Sequence, residues 1–88
     1  MPKIITTETF EKLFLKLPHE IQVKTSKAIW LLAENPKHNS LRCKPIKGAP
    51  GVYEASIDRQ YRLSYERLPG DRLLLRVVGN HDDVLKNP

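Results

Sequence analysis

The chain carries a single cysteine, Cys43, which excludes an intrachain disulfide and a cysteine-built metal site. No apolar run approaches the roughly 18 residues that span a bilayer. No apolar segment follows residues 1–5 as a secretory leader would require. Its three histidines, His19, His38 and His81, have no helical i, i+4 partner, so no metal site is expected. With four glycines there is no glycine-rich phosphate loop, and no Ser-His-Asp set stands out, so no cofactor is expected either. These absences predict a cytoplasmic protein without a membrane or metal partner.

What is present is 88 residues, 40% hydrophobic and 28% charged, the profile of one soluble globular domain over residues 1–88. Acidic residues are scarce beside basic ones, 10 against 15, for a net charge of +5. The excess is local. Lys37, Arg42, Lys44, Lys47, Arg59 and Arg62 fall in one stretch that offers only Glu54 and Asp58 in return. Such a patch suits phosphate backbones, anionic surfaces or an acidic protein, and equally an ordinary solvated surface.

Residues 3–6 are short and β-branched, which suits a strand. Thr7 offers an N-cap, with Glu8 in the first turn. Phe10, Leu13, Phe14 and Leu17 then form the apolar stripe of a short helix. Pro18 ends that helix and opens a second, predicted over 18–34. Ile21, Thr25, Ala28, Ile29 and Leu32 line its inner face, and Gln22, Lys24, Lys27 and Glu34 lie away from it. Asn35 before Pro36 stops it. Residues 37–50 read as a polar loop with one helical turn at 40–44.

From Gly51 the period drops to two, predicting strands over 52–57, 60–67 and 72–78. The turns are Asp58, Arg59, Gln60 and Pro69, Gly70, Asp71. Tyr53, Ala55, Ile57, Tyr61, Leu63, Tyr65, Leu73, Leu75 and Val77 face the core. Glu54, Ser56, Arg62, Ser64, Glu66 and Arg76 face solvent. Residues 79–88 read as a polar tail apart from Val84 and Leu85. The fold class is α+β: a short N-terminal strand and a helical hairpin packed on a curved antiparallel sheet, in the order β-α-α-β-β-β.

Arg62 is the first candidate for chemistry. A guanidinium projecting from mid-strand can fork two hydrogen bonds to a phosphate, or it can pair with Glu54 or Glu66 across the sheet. His81 is the second. It follows Gly79 and Asn80 at the sheet rim and titrates near neutrality, although Asp82 and Asp83 beside it also suit an ordinary loop histidine. Lys44 and Lys47 can guide a polyanion, and Arg59 and Arg76 extend the basic surface. Tyr61 and Tyr65 alternate with Leu63 and read as core, and Trp30 as core or partner contact. Cys43 reads as an inert loop residue.

The set of residues resembles the RelE/ParE toxin superfamily over nearly the full length. The resemblance lies in the helical hairpin, in Lys44, Pro45, Ile46, Lys47 and Gly48 before the sheet, and in Gly51, Val52 and Tyr53. It continues through Tyr61, Arg62, Leu63, Ser64 and Tyr65, the most specific element, to Val78, Gly79, Asn80 and His81. It implies the toxin of a type II toxin–antitoxin system, neutralised by a cognate antitoxin. In the RelE-like branch the toxin is a metal-free endoribonuclease that cuts mRNA in the ribosomal A site. By the same resemblance Arg62 stabilises the phosphate, His81 acts on the leaving group, and Lys44 and Lys47 position substrate. Two departures stand out. Asp82, Asp83, Val84 and Leu85 occupy the place where many RNA-cleaving members carry an aromatic. Residues 44–48 hold no glutamate, which leaves Glu54 and Asp58 as candidate general bases. The alternatives are a ParE-like gyrase inhibitor that cuts no RNA and an inactive member that acts by protein binding.

Overall fold

A computed structural model describes residues 2–88. Strand β1 (Lys3–Thr6) leads into helices α1 (Glu8–Leu15) and α2 (His19–Glu34). A 3-10 turn (Asn39–Leu41), a two-residue strand β2 (Lys44–Pro45), β3 (Val52–Ser56), β4 (Tyr61–Leu68), β5 (Arg72–Asn80) and a closing helix α3 (His81–Lys86) follow. The expected helical turn at 40–44 is shorter and earlier. Arg42 adopts a left-handed conformation (φ 46°) that breaks it, and β2 follows. Pro45 fits there because β2 is an edge strand, where a missing N–H disturbs no ladder.

Thr7 caps α1 by accepting the Phe10 N–H (3.1 Å), and its hydroxyl also donates to the Leu75 carbonyl (3.0 Å), stitching the helix to the sheet. Gln22, expected to point away, instead turns back. Its amide donates to the Phe14 and Leu17 carbonyls (3.1 and 3.3 Å), tying the start of α2 back to the end of α1 and the turn that follows it.

The sheet runs β1-β5-β4-β3-β2. β3, β4 and β5 pair antiparallel as expected; β2, in the stretch expected to be a loop, adds to β3 antiparallel, and β1 lies parallel to β5, so the sheet is mixed. One core forms between the sheet and the helical hairpin, around Phe10, Ala28, Leu32, Leu63, Tyr65 and Leu75. Each large aliphatic side chain there contributes about 1.5–3 kcal/mol by leaving water.

Two expectations about the sheet need correction. Ser64 lies opposite Val77 while Tyr65 lies opposite Leu75, so Arg76 has no partner of its own and forms a bulge. The extra residue reverses the alternation beyond it. Val78 therefore enters the core in place of Val77, which is half-buried on the other face. Tyr61, expected in the core, is likewise only half-buried.

The second correction concerns 79–88, which is not a loose tail. The Asn80 side chain accepts the Asp83 N–H (3.0 Å) and caps α3, with Asp82 and Asp83 in the first turn where the helix dipole favours them. A helix this short gains little from propensity alone. It is held because Val84 is buried against β4 and β5, outside the main core.

Candidate functional site

Leu63 and Tyr65 point into the core, so strand alternation turns Arg62, Ser64 and Glu66 to the opposite face. That face was expected to be open, and it is partly closed: Glu54 and Ser64 are both buried. The C-terminal segment supplies much of the cover. The Ser64 hydroxyl donates to the Pro88 carbonyl (3.0 Å) and accepts the Val77 N–H (3.2 Å). Arg76 donates to the same Pro88 oxygen (3.0 Å) and pairs with Glu66 (2.8 Å). Arg76 is thus committed to anchoring the segment.

Arg62 stands opposite Ser56 on one side and Gly79 on the other, where no side chain crowds it. It does not project freely. Its Nη1 donates to the Tyr61 carbonyl (2.9 Å) and to the Asp58 carbonyl, and its Nε lies 3.7 Å from Glu54 Oε1. The Arg62 side chain is 15% exposed and that of Glu54 5%, so the guanidinium is fixed in a shallow, largely dry setting. Lys44 lies directly across from Glu54 in the β2–β3 register. Lys44, Glu54 and Arg62 therefore share one patch. Lys47 is exposed just beyond, after the buried Ile46.

His81 reaches the rim of this patch through its backbone. Its N–H donates to the Gln60 carbonyl (2.7 Å), one step past the Tyr61–Asn80 and Arg62–Gly79 pairs. Its ring is 44% exposed, with Nδ1 3.5 Å from Asp82 Oδ1, an attraction that operates when the imidazole is protonated. Asp58 has another task. Its Oδ1 accepts the Gln60 and Tyr61 N–H groups (2.9 and 2.8 Å), and Oδ2 lies 3.5 Å from Lys24 Nζ. Burial works to raise its pKa, but the two N–H donors and Lys24 outweigh that and hold the carboxyl below its ordinary value. Asp58 builds the turn that positions Arg62. Arg59, exposed on the same turn, has no ion pair among the described residues.

Farther along the sheet, Tyr53 stacks on Tyr65 (centroids 5.7 Å apart), and Arg67 lies 4.4 Å over the Tyr53 ring. Burial pushes the Tyr65 phenol well above its ordinary pKa, and Cys43 beside it adds to the shift, so Tyr65 is no proton donor near neutrality. Trp30 is neither core nor covered: it is exposed on α2. Among the described residues no three His, Cys, Asp or Glu side chains gather as a metal site needs, and no helix is long and apolar enough to cross a membrane.

The roles of Ser64, Glu66 and Arg76 as anchors, and of Lys24 as partner to Asp58, are not evident from strand periodicity. Asn80 followed by two aspartates was the readable sign that the chain turns helical over the sheet.

A mixed five-stranded sheet with a helical hairpin on one face is a fold shared with solved toxins of the RelE and YoeB/ParE kind. The YoeB/ParE toxin from Agrobacterium tumefaciens superposes with a TM-score of 0.74 at 19% identity, over 90% of this chain and 98% of that one. A chain of the E. coli DinJ–YafQ complex gives 0.75 at 21% identity, over 96% and 98%. One from the RelB–RelE antitoxin–toxin complex of Methanococcus jannaschii gives 0.72 at 23% identity, over 96% and 99%. No protein-family model matches the sequence, and no curated protein sequence matches it.

Proposed function

We propose that the chain is the toxin of a toxin–antitoxin pair and an endoribonuclease that cuts mRNA at the ribosome, in the cytoplasm, until a cognate antitoxin covers it. The observation that carries this reading is the fixed Arg62 guanidinium, set between Glu54 and the Asp58 turn on a face that also holds Lys44 and is rimmed by His81. A guanidinium already ordered and partly desolvated stabilises charge building on a phosphate without reorganising at the moment of reaction.

The chemistry then needs no group beyond the chain and its substrate. The substrate 2′-hydroxyl attacks the adjacent phosphorus and gives its proton to Glu54. A new 2′-O–P bond forms, the P–O5′ bond breaks, and protonated His81 supplies the proton that the departing O5′ takes up. The products are a 2′,3′-cyclic phosphate and a free 5′-hydroxyl. Lys44 and Lys47 hold flanking phosphates, and Arg59 adds to the same basic surface.

The support for an antitoxin partner is the basic surface and the fold shared with chains solved as toxin–antitoxin complexes. A second reading, a toxin or regulator that binds protein and cuts nothing, draws on two observations: Asp82, Asp83, Val84 and Leu85 stand where the resemblance leads one to expect an aromatic, and Arg62 is occupied by internal acceptors. Induced expression followed by primer-extension mapping separates the two. New transcript ends that vanish with Arg62→Lys and His81→Ala, both checked for folding by circular dichroism, support the nuclease. Growth arrest with intact transcripts refutes it.

A further inference from the structure

The turn that holds Arg62 also walls a cavity of about 250 Å3 on its other side, between α2 and the end of β3. Leu31 and Leu41 contribute an apolar floor, and Lys24, Lys27, Ser40 and Ser56 form a polar rim. Lys24 is shared between Asp58 and Glu20 (3.5 and 3.7 Å). Lys27, nearly one helical turn on, is exposed and has no ion pair among the described residues. The Asp58 carboxylate also lines the cavity, but its oxygens already face two backbone N–H groups and Lys24, which leaves little charge to repel an anion.

Cations therefore flank a single turn on both sides, with Arg62 bonded to the Asp58 carbonyl and Lys24 beside the Asp58 side chain. A polymer with one negative charge per unit can engage both at once. The apolar floor and the Ser40 and Ser56 hydroxyls, held by His38 Nδ1 (2.7 Å) and the Asp58 carbonyl (3.4 Å), suit a ribose and base better than a bare ion, since apolar walls with few placed polar groups are what organic ligands require. We propose that this cavity is a nucleotide subsite that holds a unit of single-stranded RNA next to the one at Arg62. The inference rests on the RNA-cleaving reading above and adds to it where the flanking strand runs.

The test uses the full chain, isotopically labelled, and a 2′-O-methyl hexaribonucleotide that binds but cannot be cleaved. Amide shifts on titration are expected at residues 24–28, 40–41 and 56–58 together with those around 54 and 62. Lys24→Ala with Lys27→Ala should weaken binding about tenfold, as two exposed charge pairings allow, and lower the salt slope by about 0.7 for each phosphate left without its lysine. Lys27→Glu alone touches no internal contact and keeps the test clear of folding effects. Shifts at 54 and 62 with none at 24–28, and unchanged binding by the lysine variants, would overturn the subsite and leave the RNA reading in place. A protein that shows no shifts anywhere refutes both.

Discussion

Replacing Glu54 with alanine strands the Arg62 guanidinium in a site where its side chain is 15% exposed and two backbone carbonyls are its remaining partners. Breaking a buried ion pair from one side costs about 3–5 kcal/mol when the surviving charge has nothing else. Here the pair is long, at 3.7 Å, and the carbonyls persist, so a loss of about 2 kcal/mol is expected. Arg62→Ala should cost more, about 3 kcal/mol, because it leaves an almost fully buried carboxylate and also removes the bond that ties β4 to the Asp58 turn and the bond to the Tyr61 carbonyl. The second substitution then has less left to lose. The double variant should fall short of the summed single costs by about 1–2 kcal/mol. Urea denaturation followed by circular dichroism measures all four proteins; Trp30 fluorescence is a poor probe because that ring is already exposed. In melting temperature each kcal/mol is worth about 4–8 °C for a chain of this size. Single-variant costs that add within about 0.5 kcal/mol would show that the two side chains do not interact, and the charge-paired site would fall with them.

Val84→Ala should cost about 1.5 kcal/mol, two methylene equivalents, and speed hydrogen exchange at 81–86 more than in the core; uniform exchange across the chain would contradict a separately anchored α3. Asp58 has a folded-state pKa below its ordinary 3.8, so its stabilisation is complete above that value and lost as pH falls through 3.8 and then the folded value. Melting curves from pH 7 down to 3 should therefore show Asp58→Asn less stable at neutrality, with a shallower acid decline than the wild type; parallel curves would refute the assignment. Gly48 has φ 85°, so Gly48→Ala should lose about 1 kcal/mol to backbone strain. At Gly79 a methyl meets Asp83 and Val84 at 4.0 Å, ordinary contact, so Gly79→Ala should be close to neutral in the same denaturation assay. Equal costs at the two glycines would contradict the turn geometry.

Much of this fold is written in spacing. The stripe of Phe10 through Leu17, the Asn35–Pro36 stop and the period-two runs around Ala55 and Leu63 each fix an element by its own residues. What spacing cannot carry is pairing. The parallel docking of β1 on β5 depends on residues nearly the whole chain apart, with Lys3 opposite Arg72. The Arg76 bulge arises from how β5 meets β4, and nothing in the run of leucines and valines at 73–78 announces that the phase changes within it. The site divides the same way. Arg62 and Glu54 can be placed on one face from alternation, whereas Lys44, expected in a loop, joins them only through the pairing of β2 with β3. That the guanidinium bends back to the Asp58 turn, and that the Pro88 carbonyl closes over Ser64, follows only from the tertiary arrangement.

Under the proposed chemistry the Glu54–Arg62 pair has a consequence for charge. A guanidinium this far out of water is tolerable at rest only with a counterion, and Glu54 is that counterion. A phosphodiester arriving at Arg62 competes with the carboxylate for the same positive charge. If Glu54 takes the proton of the attacking 2′-hydroxyl, it becomes neutral at the moment negative charge grows on the phosphorus. Arg62 then passes from one anion to the other without an unpaired intermediate. Base and electrostatic stabiliser are thereby coupled: Glu54→Gln keeps the shape but leaves Arg62 without a counterion at rest. That variant should bind the non-cleavable RNA more tightly than wild type while cutting substrate far more slowly. Tighter binding with unchanged cleavage would leave Glu54 as counterion alone and move the base elsewhere.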